Sequence, residues 1–542
     1  MSRAARSEPT TVRTFRREPA KARVRAFVRG SLRGIQQGVV RACVAAERRP
    51  WSAALASGAL LVVAARPWGA GWLALVAFVP VLWALRSESR MPRAAAMLAV
   101  TASGAAVVVY EALGPVAPAL APVVAAAATL PFAASGALAP ALRRALGARA
   151  LVASFPLLWL AAEGLPGKSW LLGRYATPLL AVGYSQAGLP AMHLARLGGV
   201  AAVGGAVLAC NALLVLAFAE RARWAPAALA ALGVLVALTA LTAPPTLRGT
   251  VVATPRPQGP AAAASPTTPG APPVRAAAVR VVQAALPDAA YAAAAALPSA
   301  RASLMRAVVG GALAVPMPGG AGVTVAPEGA LPGPVPARGP TGLEPFLAGL
   351  GPALLGGPAR VEGGVANAAF AWRAGRLERV YSKRRLAPIG EASLVRGHAP
   401  GLALIGGVRV GPLICFEVAF PELARRAARG GAQLLAVLTN DAFGRYLGTP
   451  LQHLRLARFR AVETARPLAF ASNAGPSAVI DGAGRVLTRT AIGRPDAAVA
   501  TARLDARQTL FLRWGDWPGT LALVGSCLLA LVAGAKGGPP RS

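Results

Sequence analysis

The sequence predicts a multi-span α-helical membrane domain joined to an α/β sandwich domain, and three observations carry that prediction. Apolar residues make up 55% of the 542-residue chain and are bunched into runs near twenty residues rather than spread. Runs of that length match the hydrocarbon thickness of a bilayer. A Pro/Ala/Thr-rich stretch at 244–274, with little to bury, reads as an extended or disordered linker. From 275 to 512 the texture changes to short strands alternating with helices, enough chain for a core of its own.

Residues 1–50 are polar and arginine-rich, including Arg16, Arg17, Arg48 and Arg49. No small-residue cleavage site closes a short apolar core, so this reads as a disordered cytoplasmic tail rather than a cleaved signal. Seven apolar spans follow, at Trp51–Ala65, Gly71–Leu85, Ala94–Leu113, Val116–Leu142, Ala150–Leu165, Met192–Ala219 and Ala225–Ala243. Short loops rich in Lys and Arg stay cytoplasmic. With the tail inside, the loops that should be cytoplasmic carry Arg86, Arg90 and Arg93, then Arg143, Arg144 and Arg149, then Arg221 and Arg223. The alternate loops carry few such residues, Lys168 and Arg174 between Pro166 and Pro190 among them. An odd number of spans places the sandwich domain outside. A last span, Trp517–Ala535, returns the chain to a second cytoplasmic tail at 536–542. Glu111 and Glu163 fall near outward span ends and read as structural or positioning groups.

In the outer domain, Val279–Gln283 and Val323–Ala326 read as buried strands, and Ala366–Trp372 with Leu377–Val380 as a hairpin. Leu402–Val410 and Leu434–Leu438 read as further strands, Leu451–Thr464 as a helix, and Ala469–Ser472 and Ala478–Asp481 close the set.

The formal net charge of +36 is nearly all arginine, since the only lysines are Lys21, Lys168, Lys383 and Lys536. The interleaved aromatic and basic pattern of a nucleic-acid module is missing, so no nucleic-acid partner is expected. Four cysteines give no disulfide framework. The three histidines, His193, His398 and His453, are never two on a metal-ligand spacing, so neither a metal nor a cofactor is expected.

Three places in the outer domain share one grammar, an apolar strand ending in one ionisable or nucleophilic group. VTVAPEGALP presents Glu328, YSKRRLAPIGE presents Lys383, and GPLICFE presents Cys415 with Glu417 two positions on. A strand end just before a helix is where an α/β sandwich exposes a nucleophile. Each group alone has a plain alternative: a buried small hydrophobe for Cys415, a loop carboxylate for Glu328, a solvated amine for Lys383. A lysine in a chain that otherwise uses arginine points to a requirement for a compact ammonium.

Together, in this order, these segments resemble the Glu-Lys-Cys triad of the nitrilase superfamily. TNDAFG, QHLRLARFRAVETARP and ASNAGPSAVIDGAGRV are similar to that superfamily's stretch after the cysteine. A nitrilase-like domain behind seven spans and before one more resembles the apolipoprotein N-acyltransferase family, from about Ser52 to Ala535. ARPWGAGWLALVAFVPVLWAL, LLWLAAEGL and GYSQAGLPAMHLARLGGVAAVGG share in that likeness.

The resemblance implies a nitrilase-like αββα sandwich on the outer side of a bacterial inner membrane. It implies Cys415 as nucleophile, Glu328 as base and Lys383 as oxyanion stabiliser, with Glu391 and Glu417 as accessory carboxylates orienting Lys383, Glu328 or the amine. The implied donor is a phospholipid and the implied acceptor a diacylglyceryl apolipoprotein. Phe416 stands where the family has tyrosine, and Asn440-Asp441-Ala442-Phe443-Gly444 is one aromatic short of the family segment. The alternatives are a membrane-tethered nitrilase-type amidase, for which one span would suffice, and a non-catalytic membrane scaffold, which would predict loss of a triad residue.

Overall fold

The computed structural model describes residues 47–66, 69–110, 119–173, 176–219, 276–317, 322–336, 341–388, 390–442, 448–504 and 507–536, with isolated positions between 226 and 241. The expectations for the arginine-rich tail up to residue 46, most of the seventh span, the linker, Glu111 and Phe443 fall outside the described residues.

The membrane part is built from Ala- and Leu-rich segments, whose helices satisfy every interior backbone group internally, as a lipid environment demands. They are α1 (Pro50–Ala65), α2 (Val79–Leu85), α3 (Met91–Tyr110), α4 (Leu120–Ala127), α5 (Leu130–Gly164) and α6 (Ala195–Ala219). Among the described residues, four helical stretches are long and apolar enough to cross a membrane: Met91–Val108, Pro122–Gly167, Pro190–Ala219 and Trp517–Lys536. Pro50–Ala65 and Gly71–Leu85 are shorter apolar segments.

The expected spans at Val116–Leu142 and Ala150–Leu165 become the two arms of α5. The helix breaks at Gly147, whose φ of 86° favours glycine. Beyond the break the arms fold back on each other: Ser135 donates to the Leu158 carbonyl at 3.2 Å, and the Phe132 and Trp159 rings lie 4.5 Å apart. The expected span Gly71–Leu85 is not one helix. It is a 3-10 turn at Gly71–Leu75 followed by α2, with Pro80 in the first turn of the second piece. Asn211 of α6 mends that break, donating to the Ala74 carbonyl at 2.8 Å and accepting from the Phe78 N–H at 2.9 Å.

The second part is an αββα sandwich. Its strands are β1 (Ala276–Gln283), β2 (Gly322–Val325), β3 (Ala353–Val361), β4 (Gly364–Arg373), β5 (Arg376–Ser382), β6 (Ala403–Ile405), β7 (Val408–Ile414), β8 (Leu434–Thr439), β9 (Leu468–Ser472), β10 (Ala478–Ile480), β11 (Val486–Arg489) and β12 (Asp496–Arg503). They form two six-stranded sheets, ordered β12-β1-β2-β3-β4-β5 and β11-β10-β9-β8-β7-β6. Val279, Val281, Val323, Val325 and Leu354 of the first sheet meet Val410, Ile414, Leu434, Ala436 and Leu438 of the second in one core between the sheets. Alternate residues point outward. On the first sheet these meet α7 (Asp288–Ala296) and α8 (Pro298–Leu313). On the second they meet α9 (Pro421–Arg429) and α10 (Gly448–Thr464).

The helix layer on the second sheet is shared with the membrane part. Leu454, Phe459 and Val462 of α10 pack in one cluster with Tyr184, Met192, Leu194 and Val203. The last helix, α11 (Trp517–Lys536), begins at this junction, where Trp517 Nε1 donates to the Leu197 carbonyl at 2.8 Å.

The expected strand Leu402–Val410 proves to be a hairpin. Gly406 and Gly407, at φ 55° and 77°, turn β6 into β7. Two consecutive residues at positive φ are what the tightest hairpin turns require.

Candidate active site

The site lies where the two sheets present their strand ends. In the first sheet β1, β2 and β3 are parallel, and in the second β7, β8 and β9 are. Ligands in open α/β sheets bind outside the carboxyl ends of such strands.

Glu328 lies three residues beyond β2. The chain after β2 keeps running along β3, with the Ala326 N–H on the Leu354 carbonyl at 2.9 Å and the Leu331 N–H on the Gly356 carbonyl at 2.9 Å. A Cβ on Gly356 would stand 2.7 Å from the Glu328 Cα, so only glycine lets the two backbones approach this closely. Lys383 directly follows β5, its N–H bonded to the Asn367 carbonyl at 2.7 Å. Its side chain is 1% exposed. Nζ donates to Glu391 Oε1 at 2.8 Å and reaches Glu328 Oε1 at 3.5 Å. Asn367 ties the two acids together, Nδ2 donating to Glu328 Oε1 at 2.5 Å and to Glu391 Oε1 at 2.9 Å. The other Glu328 oxygen accepts from the Asn440 N–H at 3.1 Å, and the other Glu391 oxygen from the Ala387 N–H at 2.6 Å.

Cys415 follows β7 as the first residue of a 3-10 turn, at a φ of 50°. A non-glycine residue held at positive φ on a strand-to-helix turn is a strained, sharply presented position. The thiol is buried, and burial together with the Glu328 charge pushes it well above the ordinary range, against the pull of Lys383. Burial alone would lower the lysine, but the charges of Glu328, Cys415 and Glu391 outweigh it and hold the ammonium above its usual value. The cluster therefore keeps Lys383 charged and the resting sulfur protonated, so a thiolate needs a base at the moment of attack.

Glu328, Lys383 and Cys415 come together, and Glu391 grips the lysine as an orienting carboxylate would. Glu417 does not. Its carboxylate accepts from the Tyr381 hydroxyl at 2.7 Å and the N–H groups of Arg384 at 2.7 Å, Arg385 at 3.1 Å and Ile414 at 2.8 Å. Burial raises its pKa despite those four donors. Glu417 thus fastens the backbone after Lys383 to the turn holding Cys415, with the Lys383 charge acting on it as well. Phe416 stacks edge-on against Phe420 at 5.1 Å. Glu163, in the membrane part, accepts from Trp159 Nε1 at 2.7 Å and from the Val182 N–H at 2.8 Å, a structural arrangement.

Four polar residues of the site were given no role by the sequence, and Asn367 was not named there at all. Asn367 bridges the acids, Asn440 binds Glu328, and Asp441 and His453 pair at 2.7 Å. The available signals were an asparagine inside the apolar strand VANAAFAW and the TND and QH pairs in the segments after the cysteine. On the membrane side, a cavity lined by Leu61, Ala105, Trp159, Leu180, Gln452 and Arg455 lies between the apolar helices and α10.

Comparison with known proteins agrees with this architecture. The family model described as the apolipoprotein N-acyltransferase N-terminal domain matches residues 57–213, and the carbon-nitrogen hydrolase model matches 366–510. Among curated proteins, the apolipoprotein N-acyltransferase of Shewanella oneidensis is 35% identical over 170 residues, which is 28% of this chain and 32% of that protein. The one from Gloeobacter violaceus is 38% identical over 199 residues, 32% of this chain and 37% of that protein. The chain thus matches about a third of the length of these relatives. A solved CN-hydrolase superfamily protein from Xanthomonas campestris aligns at 21% identity and a TM-score of 0.33, over 46% of this chain and 97% of that one. The chain thus carries, in this order, a membrane-helical region that matches the apolipoprotein N-acyltransferase N-terminal domain and a two-sheet region that matches the carbon-nitrogen hydrolase family.

Proposed function

We propose that this protein is an acyltransferase that moves a fatty acyl chain from a membrane phospholipid to the α-amine of a lipoprotein's N-terminal diacylglyceryl-cysteine. The observation that carries the reading is the buried Lys383 ammonium, held by Glu391 and Glu328 beside a cysteine at positive φ.

In the first half-reaction Glu328 takes the Cys415 proton as sulfur attacks the ester carbonyl. An ammonium has three donors, and two on Lys383 face the carboxylates, so the third is free to meet the oxygen on which negative charge develops. The C–O bond then breaks, Glu328 returns the proton to the departing glyceryl oxygen, and lysophospholipid leaves. In the second half-reaction the amine attacks the thioester, an amide bond forms, and the C–S bond breaks. Glu391 positions the lysine and Glu417 the loops that carry lysine and sulfur. Both substrates are lipids, and the apolar surface where the helices meet α10 supports an approach of acyl chains that avoids water. The arginine-bearing loops, by the positive-inside rule, support a sandwich on the outer face of a bacterial cytoplasmic membrane.

The test is mass spectrometry of the full-length protein incubated with phospholipid vesicles. We expect one acyl adduct, removed by thioester-cleaving conditions and absent from Cys415→Ala. An unmodified protein would overturn the proposal, as would failure to add a third chain to lipoproteins in a strain lacking that activity.

A further inference from the structure

The second half-reaction has a proton to account for. The accepting nitrogen arrives as an α-ammonium, roughly nine-tenths protonated at pH 7 for a group that titrates near 8. Turning an ammonium into an amide releases two protons. Glu328 can carry one, from the attacking nitrogen to the departing sulfur, which restores the Cys415 thiol. The other needs a second base, and Lys383, held as an ammonium, cannot serve.

One strand end supplies a candidate. After β8, Thr439, Asn440 and Asp441 are consecutive, and the Asn440 N–H lies on Glu328 Oε2 at 3.1 Å. The next residue, Asp441, is fully buried at a φ of 55°. It accepts from Thr439 Oγ1 at 2.9 Å and Ser472 Oγ at 2.8 Å, and pairs with His453 Nδ1 at 2.7 Å. Burial opposes its charge, yet the His453 contact and the two hydroxyls hold its carboxyl below the usual range, so it stays ionised. Its charge also reaches the Cys415 thiol. With the proton on the nitrogen that faces Asp441, Nδ1, a neutral His453 imidazole presents Nε2 as its acceptor. That nitrogen has no partner among the described residues, and the side chain is 12% exposed, so one ring edge is open. His453 follows Gln452, which lines the cavity on the membrane side.

We propose that the Asp441–His453 pair is the base of the second half-reaction, with His453 Nε2 taking the first proton from the incoming lipoprotein α-ammonium. The neutral amine then forms the C–N bond, and the C–S electron pair leaves on Cys415 sulfur. Glu328 moves the remaining surplus proton from nitrogen to that sulfur, and the imidazolium returns its own to water. This assignment rests on the acyl-transfer reading and gives that reaction a second base that the first half does not need.

The experiment separates the halves. Full-length protein is loaded with an acyl chain from phospholipid. Discharge of the thioester is then followed at pH 7 with a synthetic diacylglyceryl-cysteinyl peptide or with hydroxylamine, a nucleophile that is already neutral. His453→Asn keeps an N–H donor where Nδ1 bonds Asp441 but has nothing at the place of Nε2. We expect it to discharge to the peptide at least ~100-fold more slowly, the lower range for a lost general base, and to hydroxylamine within threefold of the unsubstituted protein. His453→Gln, which keeps no donor to Asp441, should show the same split if His453→Asn fails to fold. Equal discharge to both nucleophiles in the variants, or an equal loss with both, would overturn the assignment while leaving acyl transfer intact. If the unsubstituted protein forms no thioester at all, the acyl-transfer reading itself falls.

Discussion

Lys383 shows what single residues contribute here. It sits 1% exposed in a cage of Glu328, Glu391 and Asn367, with Nζ 2.8 Å from one carboxylate and 3.5 Å from the other. A guanidinium carries the same charge but is planar, larger and donates as a fork, so it cannot place one compact donor at that point. We expect Lys383→Arg to slow thioester formation ~10²–10³-fold, the range for losing one well-placed oxyanion donor, as read from the initial rate of adduct appearance on Cys415. A rate within tenfold of the unsubstituted protein would show that charge alone is enough. The lysine was legible because arginine fills nearly every other basic position, and Cys415 and Glu328 because each ends an apolar strand. Asn367 was not legible. Its function is to bridge two acids 39 and 24 positions away in sequence, and no local pattern encodes that meeting. Glu417 was legible as a carboxylate near the nucleophile, but its orientation was not, because its partners are backbone N–H groups that any sequence would supply.

At the scale of elements, α10 has the most to hold together, since one side packs on the second sheet and the other on the membrane part. Arg460 is fully buried within it, Nη1 directed at the Val418 and Ala419 carbonyls at 3.3 Å and Nη2 donating to Glu463 Oε1 at 2.9 Å. The same Glu463 oxygen accepts the Val200 N–H at 3.1 Å, at the point where Gly198 and Gly199 kink α6. Removing one member of a buried ion pair strands the other charge and costs about 3–5 kcal/mol. Glu463→Ala should therefore lower the thermal midpoint of the detergent-solubilised protein by several degrees, and Arg460→Met on top of it should recover part of the loss. If Glu463→Ala leaves the midpoint unchanged, this pair is not what joins α10 to α6. The helical pattern of α10 was readable from its sequence. β3, β11 and β12 were not, because strands such as ALLGGPARV and DAAVATAR are made of small residues with weak strand preference that pairing imposes on them. The single strand expected at Leu402–Val410 missed its hairpin for a related reason: Gly406 and Gly407 sit inside an otherwise apolar run and look like part of it.

For the whole molecule, the question is why a hydrolase-like sandwich is built onto so many apolar helices. A tether would need only one. Here the helices contribute surface instead: the second sheet's helix layer is completed by Tyr184, Met192, Leu194 and Val203, and Arg196 reaches across to the Gly482 carbonyl at 3.0 Å. A site docked this way can stand at only one leaflet, and the charge of the loops predicts which. Arg86, Arg90 and Arg93 precede or open α3, and Arg143, Arg144 and Arg149 flank the Gly147 bend of α5. Both arginine groups lie at one end of their helices, the end that the positive-inside rule predicts to be cytoplasmic. Ser89 and Arg494 are both exposed, one beside the first arginine group and the other on a turn of the sandwich. In intact cells, a membrane-impermeant maleimide should therefore label Arg494→Cys well above the unsubstituted chain. Ser89→Cys should rise above that background only after the cells are opened. The reverse pattern would put Cys415 on the side where the phospholipids of the outer leaflet and the lipoprotein amine cannot reach it, and the acyl-transfer reading would fail with it.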